Sequence, residues 1–246
     1  SVMITRQVAH DMNNLISPLL MISDTILPTL PDDHPHKGPM ALISRVSTQM
    51  IEMNRELLVL SHDGAHKEVF DVNDAVRNAV SVAAAQSGDN GVQVVPEVSD
   101  AKVMICGVEL QVFRAILNLC RNAVEALGGR GRVTVKTDKT ASPASGASDG
   151  KSHSLDFVCV SVADNGRGIP DSVKDRVFDP FFSTKRDESK RATGLGLTIV
   201  KDVIESHSGF VDIETSEGVG TTFSLYFPLW NLGDEAPQDA ADTANA

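Results

Sequence analysis

QVAHDMNNLISPLL, residues 7–20, carries two patterns at once. One is an apolar spacing. Val8, Met12, Leu15 and Leu19 continue into Ile22 and Ile26 at intervals of four and three, the heptad seam of helices that pack along their length. The other is a polar cluster, His10, Asp11, Asn13 and Asn14. His10 lies two residues after Val8, roughly 200° round a helix from it, so it is expected to face away from the apolar seam. Asn14 follows it by one turn on the same outer face. A solvated helix face would satisfy this pattern as well as a reactive imidazole would, and the rest of the chain has to decide between them. TLPDDHPHKGP (29–39) reads as a connecting loop, and a second seam follows through Ile43, Val46, Met50, Met53, Leu57 and Leu60. Two long helices joined by a short loop make an antiparallel hairpin. Apolar stripes of this length are expected to pair with a second copy, giving a dimeric four-helix bundle. The chain is already helical at its first residues, which reads as a helix entering from upstream.

Beyond residue 66 the texture changes. Alternating and β-branched runs predict strands at 91–98, 131–137, 155–164, 209–216 and 221–229. Helical stretches separate them at 72–87, 108–127, 171–177 and 195–207. The expectation is an α+β protein. Residues 1–66 form the helical hairpin, residues 67–230 a mixed sheet with helices on one face, and residues 231–246 an acidic, disordered tail. TASPASGASDGKSHS (140–154), rich in Ser, Ala and Gly, reads as a flexible excursion of a hairpin without a catalytic role.

Bulk composition narrows the chemistry. Net charge is -11, which argues against a nucleic-acid binder while leaving room for a local nucleotide site. Cys106, Cys120 and Cys159 are far apart and unpaired in spacing, as expected of small apolar residues in a reducing compartment. No run approaches the 18 apolar residues of a membrane span, and no secretory signal opens the chain.

Four stretches concentrate chemistry-bearing residues. In LNLCRNAVEAL (117–127), Asn118 and Asn122 are one helical turn apart, and amide oxygens suit a hard cation; two ordinary surface asparagines fit equally. VADNGRGIP (162–170) ends a strand in Asp164, followed by Gly166 and Gly168. The carboxylate can accept from an amino group such as that of adenine, and glycines let a flat ring approach the backbone, although Asp-Asn-Gly is also ordinary turn chemistry. VFDPFFSTK (177–185) gathers Phe178, Phe181 and Phe182 beside Lys185, either a hydrophobic plug or the anchor of a lid whose lysine reaches a terminal phosphate. TGLGLTIVKDVIESHSG (193–209) sets Gly194 and Gly196 before a helix, whose N-terminal N–H groups make a phosphate site. Neither the P-loop nor the dinucleotide-binding spacing is met. GVGTTF (218–223) places Thr221 and Thr222 at a strand start, where a hydroxyl could complete an adenine pocket. The remaining histidines, His34 and His36 in the hairpin loop among them, read as surface residues.

In this order and spacing the pieces resemble a sensor histidine kinase of two-component signalling, with a dimerisation and phosphoacceptor hairpin followed by a Bergerat-type ATP-binding domain. The likeness covers nearly all of residues 1–230. The H-D-M-N-N form is similar to the nitrogen-regulation and hybrid-kinase branch and departs from the commoner H-E-L-R-T-P form. By resemblance, His10 is the phosphoacceptor, Asp11 fixes its tautomer, and Asn14 serves the reverse, dephosphorylating reaction. Asn118 and Asn122 correspond to the Mg²⁺-holding asparagine box, and Asp164, Gly166 and Gly168 to the adenine box. Phe178, Phe181 and Phe182 correspond to the lid's aromatic box and Lys185 to its γ-phosphate lysine. Gly194 and Gly196 correspond to the phosphate glycines and Thr222 to the last adenine contact. Residues 179–193 would form the lid. ATP and Mg²⁺ are the implied cofactors, and a response-regulator receiver domain and a second copy the implied partners. Neither nucleic acid nor direct membrane contact is expected. The implied location is cytoplasmic, as the soluble portion of a sensor. The alternatives are a phosphotransfer or docking module with a degenerate nucleotide site, and a different ATPase of the same fold.

Overall fold

The computed structural model describes residues 2–60, 67–88, 91–141, 156–180, 182 and 194–231, with the side chains of 2–11, 13, 49, 52–60 and 141 outside the description. The chain divides into two compact units, Ser1–Gly64 with Pro180–Leu195, and Ala65–Asp179 with Gly196–Ala246.

In the first unit, α1 (Val2–Ile26) and α2 (Lys37–Leu60) pack against each other as a hairpin. Pro39 lies in the first turn of α2, where no intrahelical N–H bond is lost. The expected seams do not form the inside of this hairpin. Leu15 is 74% exposed and Leu19 52%, and Ile22, Ile26, Ile43, Val46 and Met50 are exposed with them. The buried positions are instead Ile16, Ser23 and Ser47. Small serines let two helices approach closely, and the Ser23 hydroxyl is satisfied by the Leu20 carbonyl at 2.9 Å. Ser44 ties α2 to α1 by donating to Asp24 at 2.6 Å. The heptad stripe is thus a second apolar face, turned roughly 90° round α1 from the hairpin contact.

The second unit is a two-layer α/β sandwich. Its strands are β1 (Glu68–Asp71), β2 (Val92–Glu97), β3 (Met104–Gly107), β4 (Gly131–Ala141), β5 (Asp156–Asp164), β6 (Phe210–Ser216) and β7 (Gly220–Pro228). Its helices are α3 (Val72–Ser87), α4 (Glu109–Leu127), α5 (Asp171–Lys174) and α6 (Gly196–Ser206). Five strands form a mixed sheet in the order β2-β4-β5-β7-β6, parallel only between β2 and β4. β1 and β3 make a separate antiparallel pair. Each of them spans four residues, too short for alternation to reveal in the sequence.

Helices α3, α4 and α6 cover one face of the sheet. The core between the layers is aliphatic: Val133, Val135, Val158, Val160 and Leu225 meet Val76, Ile116, Leu119, Ile199 and Ile204, all essentially inaccessible to water. α3 starts where Asp71 caps it by accepting the Asn73 N–H. α5 stops at Lys174, earlier than expected, and gives way to i→i+3 turns up to Asp179. The residue before Pro180 is sterically disfavoured in helix. Among the described residues no helix is long and apolar enough to cross a membrane, and no cluster of three or more His, Cys, Asp or Glu could hold a metal ion.

Candidate functional site

The site is built on the end of the central strand β5. Asp164 is its last residue and accepts the Gly166 N–H at 2.8 Å. Partial burial pushes the Asp164 carboxyl above the usual carboxylate range, while N–H bonds from Gly166 and Thr221 pull it back. The side chain is therefore held in place by backbone, and as a carboxylate it can accept from a further donor. Gly168 has φ 67°, and a Cβ there would lie 2.1 Å from the Ser216 carbonyl oxygen. A Cβ at Gly166 would lie 2.8 Å from both the Ala126 carbonyl and Asp164. The glycines thus let the loop fold tightly between α4 and the β6–β7 turn. Asn165, between Asp164 and Gly166, turns away and accepts the Arg132 N–H at 2.8 Å, which fastens the loop to β4.

Register corrects one assignment. Asp164 pairs with Thr221, and Ala163 with Thr222. Successive strand side chains alternate between faces, so Thr222 lies on the sheet face away from the helices and away from Asp164. Thr221 shares Asp164's face and is buried. Its hydroxyl is 3.0 Å from that of Thr215, which also receives the Ile169 N–H at 2.9 Å. Thr221 is therefore the hydroxyl beside the carboxylate, supported by Thr215. No motif pointed to Thr215; only the β6–β7 pairing reveals it.

The asparagines lie across the loop on α4, half-buried and one turn apart. α6 begins at Gly196, and a Cβ on that glycine would stand 4.0 Å from the Asn122 amide nitrogen. The start of α6 and the asparagine face are therefore neighbours. Gly194 has φ 69°, a left-handed turn into the helix that favours glycine. Phe178 packs edge-on against Phe223 at 6.3 Å, and its carbonyl accepts from Thr198 in the first turn of α6 at 3.1 Å. The aromatic segment is thereby anchored beside the same helix. Phe182 is half-buried, whereas Phe181 and Lys185 lie outside the described residues.

On the first unit, the backbone of His10, Asp11 and Asn14 is helical within α1. The side chains of His10 and Asp11 lie outside the description, and Asn14 is exposed. The expectation that the remaining histidines are surface residues fails at His207, which is 4% exposed. Burial pushes its imidazole below the ordinary histidine value.

The donor set suits a magnesium nucleotide. Two amides on one helix face can complete the shell of a hard cation that carries phosphates and water.

Comparison with known proteins supports an ATP-binding domain. Residues 107–231 match the family described as histidine kinase-, DNA gyrase B-, and HSP90-like ATPase. A sensor kinase CckA of Brucella abortus is 30% identical over 96% of this chain and 25% of its own length. A sensor histidine kinase ZraS of Klebsiella oxytoca is 27% identical over 90% of this chain and 45% of its own. The chain thus spans less than half the length of these relatives. In fold it is similar to full-length ShkA in complex with AMPPNP, with a TM-score of 0.68 and 20% identity over 98% of this chain and 48% of that one. The chain belongs to the histidine kinase-, DNA gyrase B-, and HSP90-like ATPase family, and within it to the sensor histidine kinases.

Proposed function

We propose that this chain is an ATP-dependent protein histidine kinase that phosphorylates His10 and passes the phosphoryl group to an aspartate of a response-regulator receiver domain. The observation that carries this reading is the assembly, in one unit, of Asp164, Thr221, the loop glycines, Asn122 and the start of α6. The chain that holds this site also bears H-D-x-x-N on its first helix. Asp164 would accept from the adenine amino group, with Thr221 beside it. Gly194, Gly196 and the α6 N-terminus would receive phosphate oxygens. Asn118 and Asn122 would hold Mg²⁺, whose charge offsets that of the phosphates. In the reaction a neutral ring nitrogen of His10 attacks the γ-phosphorus, an N–P bond forms, and the P–O bond to ADP breaks. Asp11 would hold the other ring nitrogen's proton and fix the tautomer. Lys185 is assigned to the γ-phosphate. Incubation with γ-labelled ATP and Mg²⁺ tests the whole reading: acid-labile, base-stable label on the chain is the expected result, and steady phosphate release without labelled protein would overturn it.

Asn14 is assigned to the reverse reaction, orienting water toward the regulator's phospho-aspartate. Asn14→Ala should leave autophosphorylation within about twofold and slow regulator dephosphorylation about tenfold, since a hydrogen bond is worth up to about 1.5 kcal/mol and each 1.4 kcal/mol is about tenfold. Equal loss of both activities would reduce the residue to a structural one.

The working unit is proposed to be a homodimer through the hairpin. The exposed stripe of Leu15, Leu19, Ile22, Ile26, Ile43, Val46 and Met50 is the apolar face a second copy would cover. Each buried leucine or isoleucine in such a seam is worth about 1.5–3 kcal/mol. Ile22→Asp, at an exposed position, should therefore convert a sedimenting dimer to a monomer without unfolding the hairpin. Wild-type protein sedimenting at single-chain mass would sink the assignment. The location is proposed to be cytoplasmic, where ATP and receiver domains are found.

A further inference from the structure

His207 follows α6 directly, and its ring sits on the other end of the α4–α6 pair from the asparagines. Nδ1 is 2.7 Å from the Val203 carbonyl, which can only accept, so Nδ1 carries the proton. Nε2 is then a bare acceptor, and it takes the Val108 N–H at 2.9 Å. Val108 is the N-cap residue of α4 and has no side chain able to cap. In a capping box its N–H would be taken by the residue three places on. Here the imidazole of the residue that follows α6 does so. Gly107 makes room for the ring: a Cβ there would lie 2.1 Å from the imidazole Cδ2 and 2.4 Å from Nε2. Phe227 closes the pocket edge-on at 6.0 Å. Lys67 donates to the Ser206 carbonyl at 2.9 Å, at the negative end of the α6 dipole.

α6 therefore runs antiparallel to α4, joined to its N-cap residue Val108 by His207 and meeting Asn122 at Gly196. We infer that His207 is a positioning residue of the nucleotide site, a neutral imidazole that clasps the start of α4 and so holds its asparagines at the start of α6. From Val108 to Asn122 is about 21 Å of helix, so a tilt of about 3° at the clasp moves the asparagine by about 1 Å. A misplacement of that size is enough to cost up to about 10²-fold in a positioned site. This inference rests on the nucleotide reading above.

The test is titration calorimetry of ATP into the full 246-residue chain, with and without Mg²⁺. It compares wild type with His207→Leu, Gly107→Ala and His207→Gln, each at a temperature where circular dichroism gives a folded chain. Because the clasp acts through the asparagines, the gain in affinity from Mg²⁺ should fall about tenfold or more in the leucine and alanine variants. Glutamine keeps an acceptor for the Val108 N–H and should recover most of that gain. Should the leucine variant fail to fold, the Gly107→Ala and His207→Gln pair decides by the same ratio. Variants that lose thermal stability but keep the wild-type Mg²⁺ gain would overturn the clasp and leave the ATP site standing. A wild-type chain that binds no ATP would overturn both.

Discussion

His10→Ala is expected to abolish phosphoryl incorporation, leaving a folded chain that still binds ATP. The imidazole is the atom donor for the new N–P bond, so its loss removes the covalent step itself rather than slowing it. Nothing else in the H-D-x-x-N cluster can substitute: Asp11 would give an acyl phosphate with the opposite acid–base stability, and asparagine amides are not nucleophiles. The measurement is label retained after base treatment, alongside calorimetric ATP affinity on the same protein. Base-stable label persisting in the alanine variant would move the phosphoacceptor elsewhere. Unchanged ATP affinity together with lost label is the combination the proposal requires, because the nucleotide residues lie on other elements.

Asp164→Asn is expected to weaken ATP binding by about 10²-fold while the fold survives. The asparagine oxygen can still accept the Gly166 N–H, now 2.8 Å from the carboxylate, so the loop retains its internal bond. The other terminal atom changes from acceptor to donor and would face the donating amino group of adenine. A hydrogen bond to a charged partner is worth about 1.5–3 kcal/mol, and each 1.4 kcal/mol is about tenfold in affinity. GTP, which presents a carbonyl at that ring position, should lose less or gain. Affinity within about twofold of wild type would exclude Asp164 as the base-reading residue. Thermal unfolding of the same variant checks that the loop is intact, since loss of the fold would mimic loss of the ligand.

Local periodicity made much of this architecture legible. The strands expected at 91–98, 131–137, 155–164, 209–216 and 221–229 correspond to β2, β4, β5, β6 and β7, and the helix expected at 72–87 is α3. β-branched alternation and 3.6-residue spacing are properties of neighbouring residues, readable without knowing the partner. The four-residue β1 and β3 are too brief to carry such a signal. The apolar spacing in α1 and α2 was visible as well, but not its orientation. Two stripes compete on each helix, and the one that packs inside the hairpin is the line of Ile16, Ser23 and Ser47. Serines do not announce a buried face in a pattern read by apolar spacing.

The sequence by itself determined the longer elements, their order and the residue types that suit a nucleotide, because those depend on local spacing and on side-chain chemistry. The tertiary structure alone decided that Thr221, not Thr222, stands beside Asp164, since a one-residue change of register moves a side chain to the opposite face of a sheet. It alone decided that His207 is buried as a neutral clasp, since the space for the ring is the missing Cβ of Gly107, a hundred residues away along the chain. Both are matters of which distant segments meet, and that is set by packing rather than by any local pattern.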